Sequence, residues 1–210
     1  MIPCVPSWLP KANRMQGDVN PRRKALAHDF KPTADWLDMA LPYKLATLLY
    51  CFDAGDRVLL LERTQEPNRG LWSPCGGKLH TETGESPYAC ARREAAEELG
   101  LTLASTDLHL AGIVSEHGFL GQSHWLMFLF EVKLRLTTVP PAHREGRFAF
   151  FSRHELDHIP IPATDREIIW PWFWKHRGGF FAAHCHCRPG CENEWTIEET
   201  WVPVASNVSA

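Results

Sequence analysis

The chain has no excess of positive charge: 22 Lys and Arg stand against 25 Asp and Glu, a formal net charge of −3. A nucleic-acid polyanion is thereby excluded as the expected partner, because such a partner calls for a basic stripe. A small phosphorylated ligand is not excluded, since one local site with a metal can hold it. Long apolar runs are also missing, and nothing approaches the roughly 20 residues that cross a bilayer. The opening MIPCVPSWLP is broken too often by proline to be the apolar centre of a signal peptide. Cysteine is present but not as a disulfide framework: there are seven, an odd number without small-scaffold spacing. Reduced thiols and a cytoplasmic location are therefore expected. Internal repeats are absent, and so is the regular βαβ alternation of a parallel-sheet protein.

What is present is a chain of single-domain size. Residues 1–38, broken by Pro3, Pro6, Pro10, Pro21 and Pro32, read as an N-terminal extension with a small basic cluster at Arg22-Arg23-Lys24. The main domain is expected over 39–201, with a frayed tail at 202–210. Lys44–Asp53 and Arg57–Arg63 flank Ala54-Gly55-Asp56 and read as a β-hairpin. Ser86-Pro87 is a helix start, serine at the cap and proline at the first helical position, and Gly100 is its stop. Strands are expected at Leu108–Ser115, His124–Val132 and Arg147–Phe151. A second helix, aromatic on one face and interrupted at Pro171, runs from Asp165 to about His176, and a last hairpin joins Gly179–Cys187 to Glu194–Thr200. Strands in groups with two inserted helices predict an α/β fold with a mixed sheet between helices.

The chemistry concentrates in Cys75–Leu101, CGGKLHTETGESPYACARREAAEELGL. On a helix Glu94, Glu97 and Glu98 project together, and like charges so spaced repel. A divalent cation reverses the sign of that interaction. All-oxygen donors favour Mg²⁺ or Mn²⁺ over zinc. Gly76 and Gly77 allow a backbone carbonyl to approach the same ion. Lys78 and Arg93 balance the charge or meet phosphate oxygens. The bland alternative is a solvated acidic face paired with Arg92 and Arg93.

This stretch resembles the Nudix box: Gly, five residues, Glu, seven residues, then Arg-Glu-apolar-x-Glu-Glu-x-Gly-apolar. Glu85, Arg93, Glu94, Glu97, Glu98, Gly100 and Leu101 match. Gly77 and Glu85 are separated by seven residues instead of five, so the loop carries two extra residues within Leu79–Thr83. The resemblance implies an α/β/α sandwich and Mg²⁺-dependent hydrolysis of a nucleoside diphosphate linked to another group. It implies catalytic and metal-binding roles for Glu94, Glu97 and Glu98, an orienting role for Arg93 and a carbonyl contact from Gly77. Glu145, just before a strand, corresponds to the distant carboxylate that completes such sites as ligand or base; a plain loop glutamate is the competing reading, and Glu116 is the rival candidate.

For substrate, the chain resembles the MutT-like enzymes that hydrolyse oxidised purine nucleoside triphosphates, 8-oxo-dGTP among them. The resemblance lies in Gly70–Lys78, in Ile159–Asp165 and in the final hairpin. It implies substrate contacts from Lys78, Trp72, Ser73 and Asp165. Ser73 stands where a base-reading Asn is usual, and one Asp replaces a pair. Asp165 reads equally as a helix cap and Trp72 as core. ADP-ribose or a dinucleotide polyphosphate is the alternative substrate, and a non-catalytic nucleotide sensor the third reading. The intact glutamates, and an extension without a helix-turn-helix, weigh against a sensor. His184-Cys185-His186-Cys187 with Cys191 is a second candidate metal cluster, for structural Zn²⁺. Alternate strand residues face opposite sides, which splits it into a His pair and a Cys pair and favours free thiols.

Overall fold

A computed structural model describes residues 41–142, 144–188 and 192–203. The proposed extension 1–38, Cys191 and residues 204–210 lie outside the described residues. The strands are β1 (Tyr43–Asp53), β2 (Val58–Arg63), β3 (Trp72–Ser73), β4 (Leu108–Phe119), β5 (Ser123–Leu136), β6 (Gly146–Phe151), β7 (Phe180–His186) and β8 (Glu194–Trp201). The helices are α1 (Pro87–Leu99) and α2 (Trp170–Lys175). One mixed sheet runs in the order β3-β2-β1-β5-β4-β7-β8, with β6 also on β2. β1 is parallel to β5 and β4 to β7, while β4–β5 and β7–β8 are antiparallel.

Period-two alternation builds a core on each face of this sheet. Tyr50, Phe52 and Leu60 pack with Ile169, Trp170 and Phe173 around α2. Leu49, Cys51, Leu59 and Leu61 pack with Ala91, Ala95 and Phe130 around α1. Each fully buried Leu or Phe contributes about 1.5–3 kcal/mol. The result is the layered α/β arrangement that the sequence implies.

The expected first hairpin holds only at its tip, where Phe52 faces Val58. Beyond the tip the glycine segment takes the edge of β1. Thr47 N–H donates to Gly77 O at 2.9 Å, Leu49 N–H to Cys75 O at 2.8 Å, and Leu79 N–H to Leu45 O at 2.9 Å. β2 pairs instead with β6 over its whole length. The backbone that carries the glycines is thereby held in the sheet.

Helix α1 forms where its local signals place it. Ser86 Oγ accepts the Ala89 N–H at 3.1 Å, Pro87 follows at the first helical position, and Gly100 ends the helix at φ 68°. The second helix opens with a π turn at Asp165–Ile169 before α2. Pro171 explains the change of pitch: it lacks an N–H, and its ring collides with the carbonyl of residue 167 in a regular α-helix.

Candidate functional site

Three carboxylates of α1 share a face, with Glu94 and Glu98 buried and Glu97 exposed. Arg93 ties that face to the preceding turn. Its Nε and Nη2 donate to Glu85 Oε1 and Oε2 at 2.8 and 3.0 Å. Its Nη1 reaches Glu94 Oε1 at 2.6 Å and Glu97 Oε2 at 3.3 Å, and Nη2 also donates to Lys78 O at 3.1 Å. The forked guanidinium holds the Glu85 carboxyl down at about 2. Burial acts the other way on its neighbours. Glu98 accepts the Gly76 N–H at 3.0 Å, yet burial pushes its carboxyl up to about 7. Burial also raises Glu94, against the pull of Arg93.

The two glycines are required by close approach. Gly76 has φ 138°, and a Cβ there would lie 2.1 Å from Thr47 O. A Cβ on Gly77 would lie 2.1 Å from Glu94 Oε1. The Gly77 carbonyl accepts the Thr47 N–H at 2.9 Å and, more weakly, the Cys90 thiol at 3.7 Å. The two extra loop residues are absorbed in a 3-10 turn at Thr81–Thr83, closed by Gly84 at φ 69°. His80 N–H donates to Glu85 Oε2 at 2.8 Å, so the loop returns to the fixed carboxylate.

A cavity of about 460 Å³ opens over this face. Gly77, Lys78, Arg93, Glu94, Glu97 and Glu145 line it, together with a second group made of Ser73, Glu116, Phe119, Trp125, Thr164 and Asp165. Glu145 is anchored through its carbonyl, which accepts the Thr64 N–H at 2.9 Å. Its negative charge raises both Glu94 and Glu98. Glu116 belongs elsewhere. Burial pushes it up to about 7, with the Thr164 side chain acting against the rise. Burial pushes Asp165 up to about 8, and the charge of Glu116 adds to it.

Trp72 does not line the cavity. It packs edge-on to Phe151 at 4.8 Å in the core, with Arg147 over its ring. Adjacent strand residues face opposite ways, so Ser73 and Trp72 do not share a wall. The tryptophan that does line the cavity is Trp125 of β5, flanked by Phe119 and Met127. The alternation of HWLMFLFEV carried that signal, since Trp125, Met127 and Leu129 share a face.

The donor set suits a hard divalent cation. The charges of Glu94, Glu98 and Glu145 repel one another, Glu94 and Glu145 from the cavity wall and Glu98 from a buried position beside it, and one guanidinium, Arg93, bonds Glu94. Oxygen donors without thiolate or imidazole select Mg²⁺-like ions. Among the described residues, no three His, Cys, Asp or Glu side chains stand together as a group that could hold a metal ion. In the second candidate cluster, Cys185 and Cys187 are buried with their sulfurs 3.6 Å apart, while His184 is half-buried and His186 exposed.

The family profile of the NUDIX domain matches residues 42–172. A MutT protein from Bacillus halodurans is similar in structure, at TM-score 0.58 and 26% identity, over 74% of this chain and 97% of its own. A MutT protein from Methanosarcina mazei Go1 matches at TM-score 0.52 and 22% identity, over 65% of this chain and 94% of its own. The NUDIX domain of Shewanella oneidensis NrtR, solved with ADP ribose, matches at 0.52 and 15%, over 69% of this chain and 98% of its own.

Proposed function

This chain belongs to the NUDIX family, and on that premise we propose that it hydrolyses a purine nucleoside triphosphate, of the oxidised 8-oxo-dGTP kind, to the monophosphate and pyrophosphate. The observation that carries this reading is the shared cavity, in which Glu94 and Glu97 of α1 and the buried Glu116 and Asp165 line one space, with Glu98 buried behind Gly76. In this reading residues 39–201 form the catalytic domain. Glu94, Glu97, Glu98 and Glu145, with the Gly77 carbonyl, hold Mg²⁺, or Mn²⁺ in its place. When bound, the ion neutralises phosphate charge and lowers the pKa of a bound water.

The chain's own residues do the rest. Arg93 fixes the carboxylates by its bonds to Glu85, Glu94 and Glu97. Lys78, exposed at the cavity edge, meets phosphate oxygens. Trp125 and Phe119 wall a slot for a planar base. Asp165 and Glu116 read its edge. Burial pushes Glu116 up to about 7 and Asp165 up to about 8, so at neutral pH Asp165 is mostly protonated and Glu116 about half so. One carboxyl then accepts from ring N–H groups while the other donates to a ring carbonyl, which matches the face of a guanine-type base. Ser73 is a further hydroxyl on that side.

A panel of 8-oxo-dGTP, dGTP, ADP-ribose and dinucleotide polyphosphates with Mg²⁺, read by released pyrophosphate and phosphate, tests the reading. Fastest turnover of 8-oxo-dGTP with pyrophosphate release is expected. Turnover of 8-oxo-dGTP no faster than dGTP or ADP-ribose sinks the substrate assignment and leaves the general hydrolase reading standing.

A further inference from the structure

Ser73 and Asp165, both assigned to the base slot, come from distant parts of the chain. Ser73 lies on β3, and Asp165 opens the π turn before α2. Both are buried and both line the cavity. The connector 152–164 lies between β6 and that π turn, and one side chain holds it. This is Arg166, which is exposed and stands outside the cavity lining.

The connector begins with a staple at the end of β6. Ser152 N–H and Oγ donate to Glu155 Oε2 at 2.7 and 2.8 Å. A single 3-10 turn follows at Glu155–Asp157. Glu155 O accepts both the His158 N–H at 3.0 Å and the Ile159 N–H at 3.1 Å. So tight a turn spends one carbonyl on two amides and leaves its later carbonyls to other donors. Arg166 supplies them. Its Nη1 donates to Leu156 O and Asp157 O, both at 2.9 Å, and its Nη2 to Ile159 O at 2.7 Å. These are charge-assisted bonds from a planar fork that stays protonated at any working pH.

The ties continue in both directions. Pro160 O, one residue past the last of those carbonyls, accepts the Trp72 N–H at 2.8 Å, and Trp72 precedes Ser73 on β3. On the other side Arg166 follows Asp165 directly, and its own N–H donates to Pro162 O at 3.1 Å. One guanidinium thus holds the connector at three points between the two slot walls. The carboxylate machinery is tied down separately, by Arg93, by the Gly76 N–H and by the bonds of the glycine segment to β1.

We propose that Arg166 is a positioning residue for the base slot. It touches no substrate. By holding the connector carbonyls it sets the separation of Asp165 from Ser73, and with it the selection of one purine base over another. The inference rests on the base-slot reading above. The arrangement calls for arginine in particular, because a lysine ammonium is a point charge without a fork to serve three carbonyls at once.

R166A and R166K test this in two ways. In the full-length enzyme with Mg²⁺, both should raise KM for 8-oxo-dGTP about tenfold and shrink its advantage over dGTP, while kcat stays within about threefold, because a misplaced slot costs binding and leaves the carboxylates in place. Amide hydrogen exchange of metal-free protein is the second readout. In R166A the Trp72 N–H should exchange at least about tenfold faster, as a local opening does. The Arg63 N–H, bonded to Leu71 O, and the Leu49 N–H, bonded to Cys75 O, should keep wild-type rates. A general loss of stability would speed all three alike. Unchanged Trp72 exchange in R166A overturns the proposal. So does wild-type KM with wild-type base preference in R166A, or full rescue by R166K, which would make the charge and not the fork responsible. A wild-type enzyme that prefers ADP-ribose to 8-oxo-dGTP sinks the base assignment instead, and the exchange rates still decide whether Arg166 holds the wall.

Discussion

Glu98 shows how one side chain is caught between folding and use. It is buried, bonded to the Gly76 N–H and pushed up to about 7 by burial. Glu98→Gln keeps an acceptor for Gly76 and removes the charge. Hydrolysis is expected to fall at least ~100-fold, more than loss of an outer-shell partner, while the melting temperature at pH 8 stays level or rises. Unchanged turnover would refute the metal site. Glu116 and Asp165 make a pH prediction. Both carboxyls are raised in the folded protein, so the folded state binds more protons than the unfolded one between about pH 4 and 8. Their contribution to stability is therefore full at low pH and lost as pH rises through 7 to 8. Each unit of separation is worth about 1.4 kcal/mol. The melting difference between E116Q/D165N and wild type should shift in favour of the variant from pH 5 to pH 8; a flat difference refutes the burial account. Much at this scale was legible in the sequence. The helical glutamates and Arg93 were, because a fixed helical spacing puts them together. Trp72 was not, because whether a strand residue faces core or cavity depends on register, which neighbours in sequence do not set.

Among the elements, α1 was readable from end to end because its signals are local: Ser86 and Pro87 open it and Gly100 closes it. The pairing of β1 with β2 was not, because the competitor for the β1 edge, Cys75–Lys78, is far away in sequence. The widened turn before Pro171 followed from proline chemistry, though its π pitch is settled by packing. The glycine segment yields a prediction of its own. Gly77 lacks a positive φ, so alanine fits the backbone, but its Cβ would meet the Glu94 carboxylate. Gly77→Ala should displace that carboxylate and reduce kcat by about 100-fold, as a misplacement near 1 Å can. Stability should change by no more than about 1 kcal/mol. Steady-state kinetics beside a thermal melt checks both. Wild-type kcat in the variant would mean Glu94 is not positioned by this contact.

For the whole molecule, two cores back one sheet, and the carboxylates repel one another along α1. Mg²⁺ should therefore stabilise the fold by linkage: at a hundredfold excess over Kd, about 2.7 kcal/mol, or roughly 5–10 °C. The rise should be absent from E94Q/E98Q; an equal rise there would place the stabilising ion elsewhere. The two-core plan was legible as alternating strands and two helices each with an apolar face, but which strand neighbours which was not, since β1–β5 and β4–β7 join distant segments. One detail of that plan reaches further. Residues 75–79 are stitched to β1, whereas the hydrogen bonds of 80–84 run only to neighbours between Leu79 and Glu85. That short arc is a splice point. Chain length can be gained or lost there, in evolution or by design, without re-registering the glycine strand and the carboxylate helix on either side.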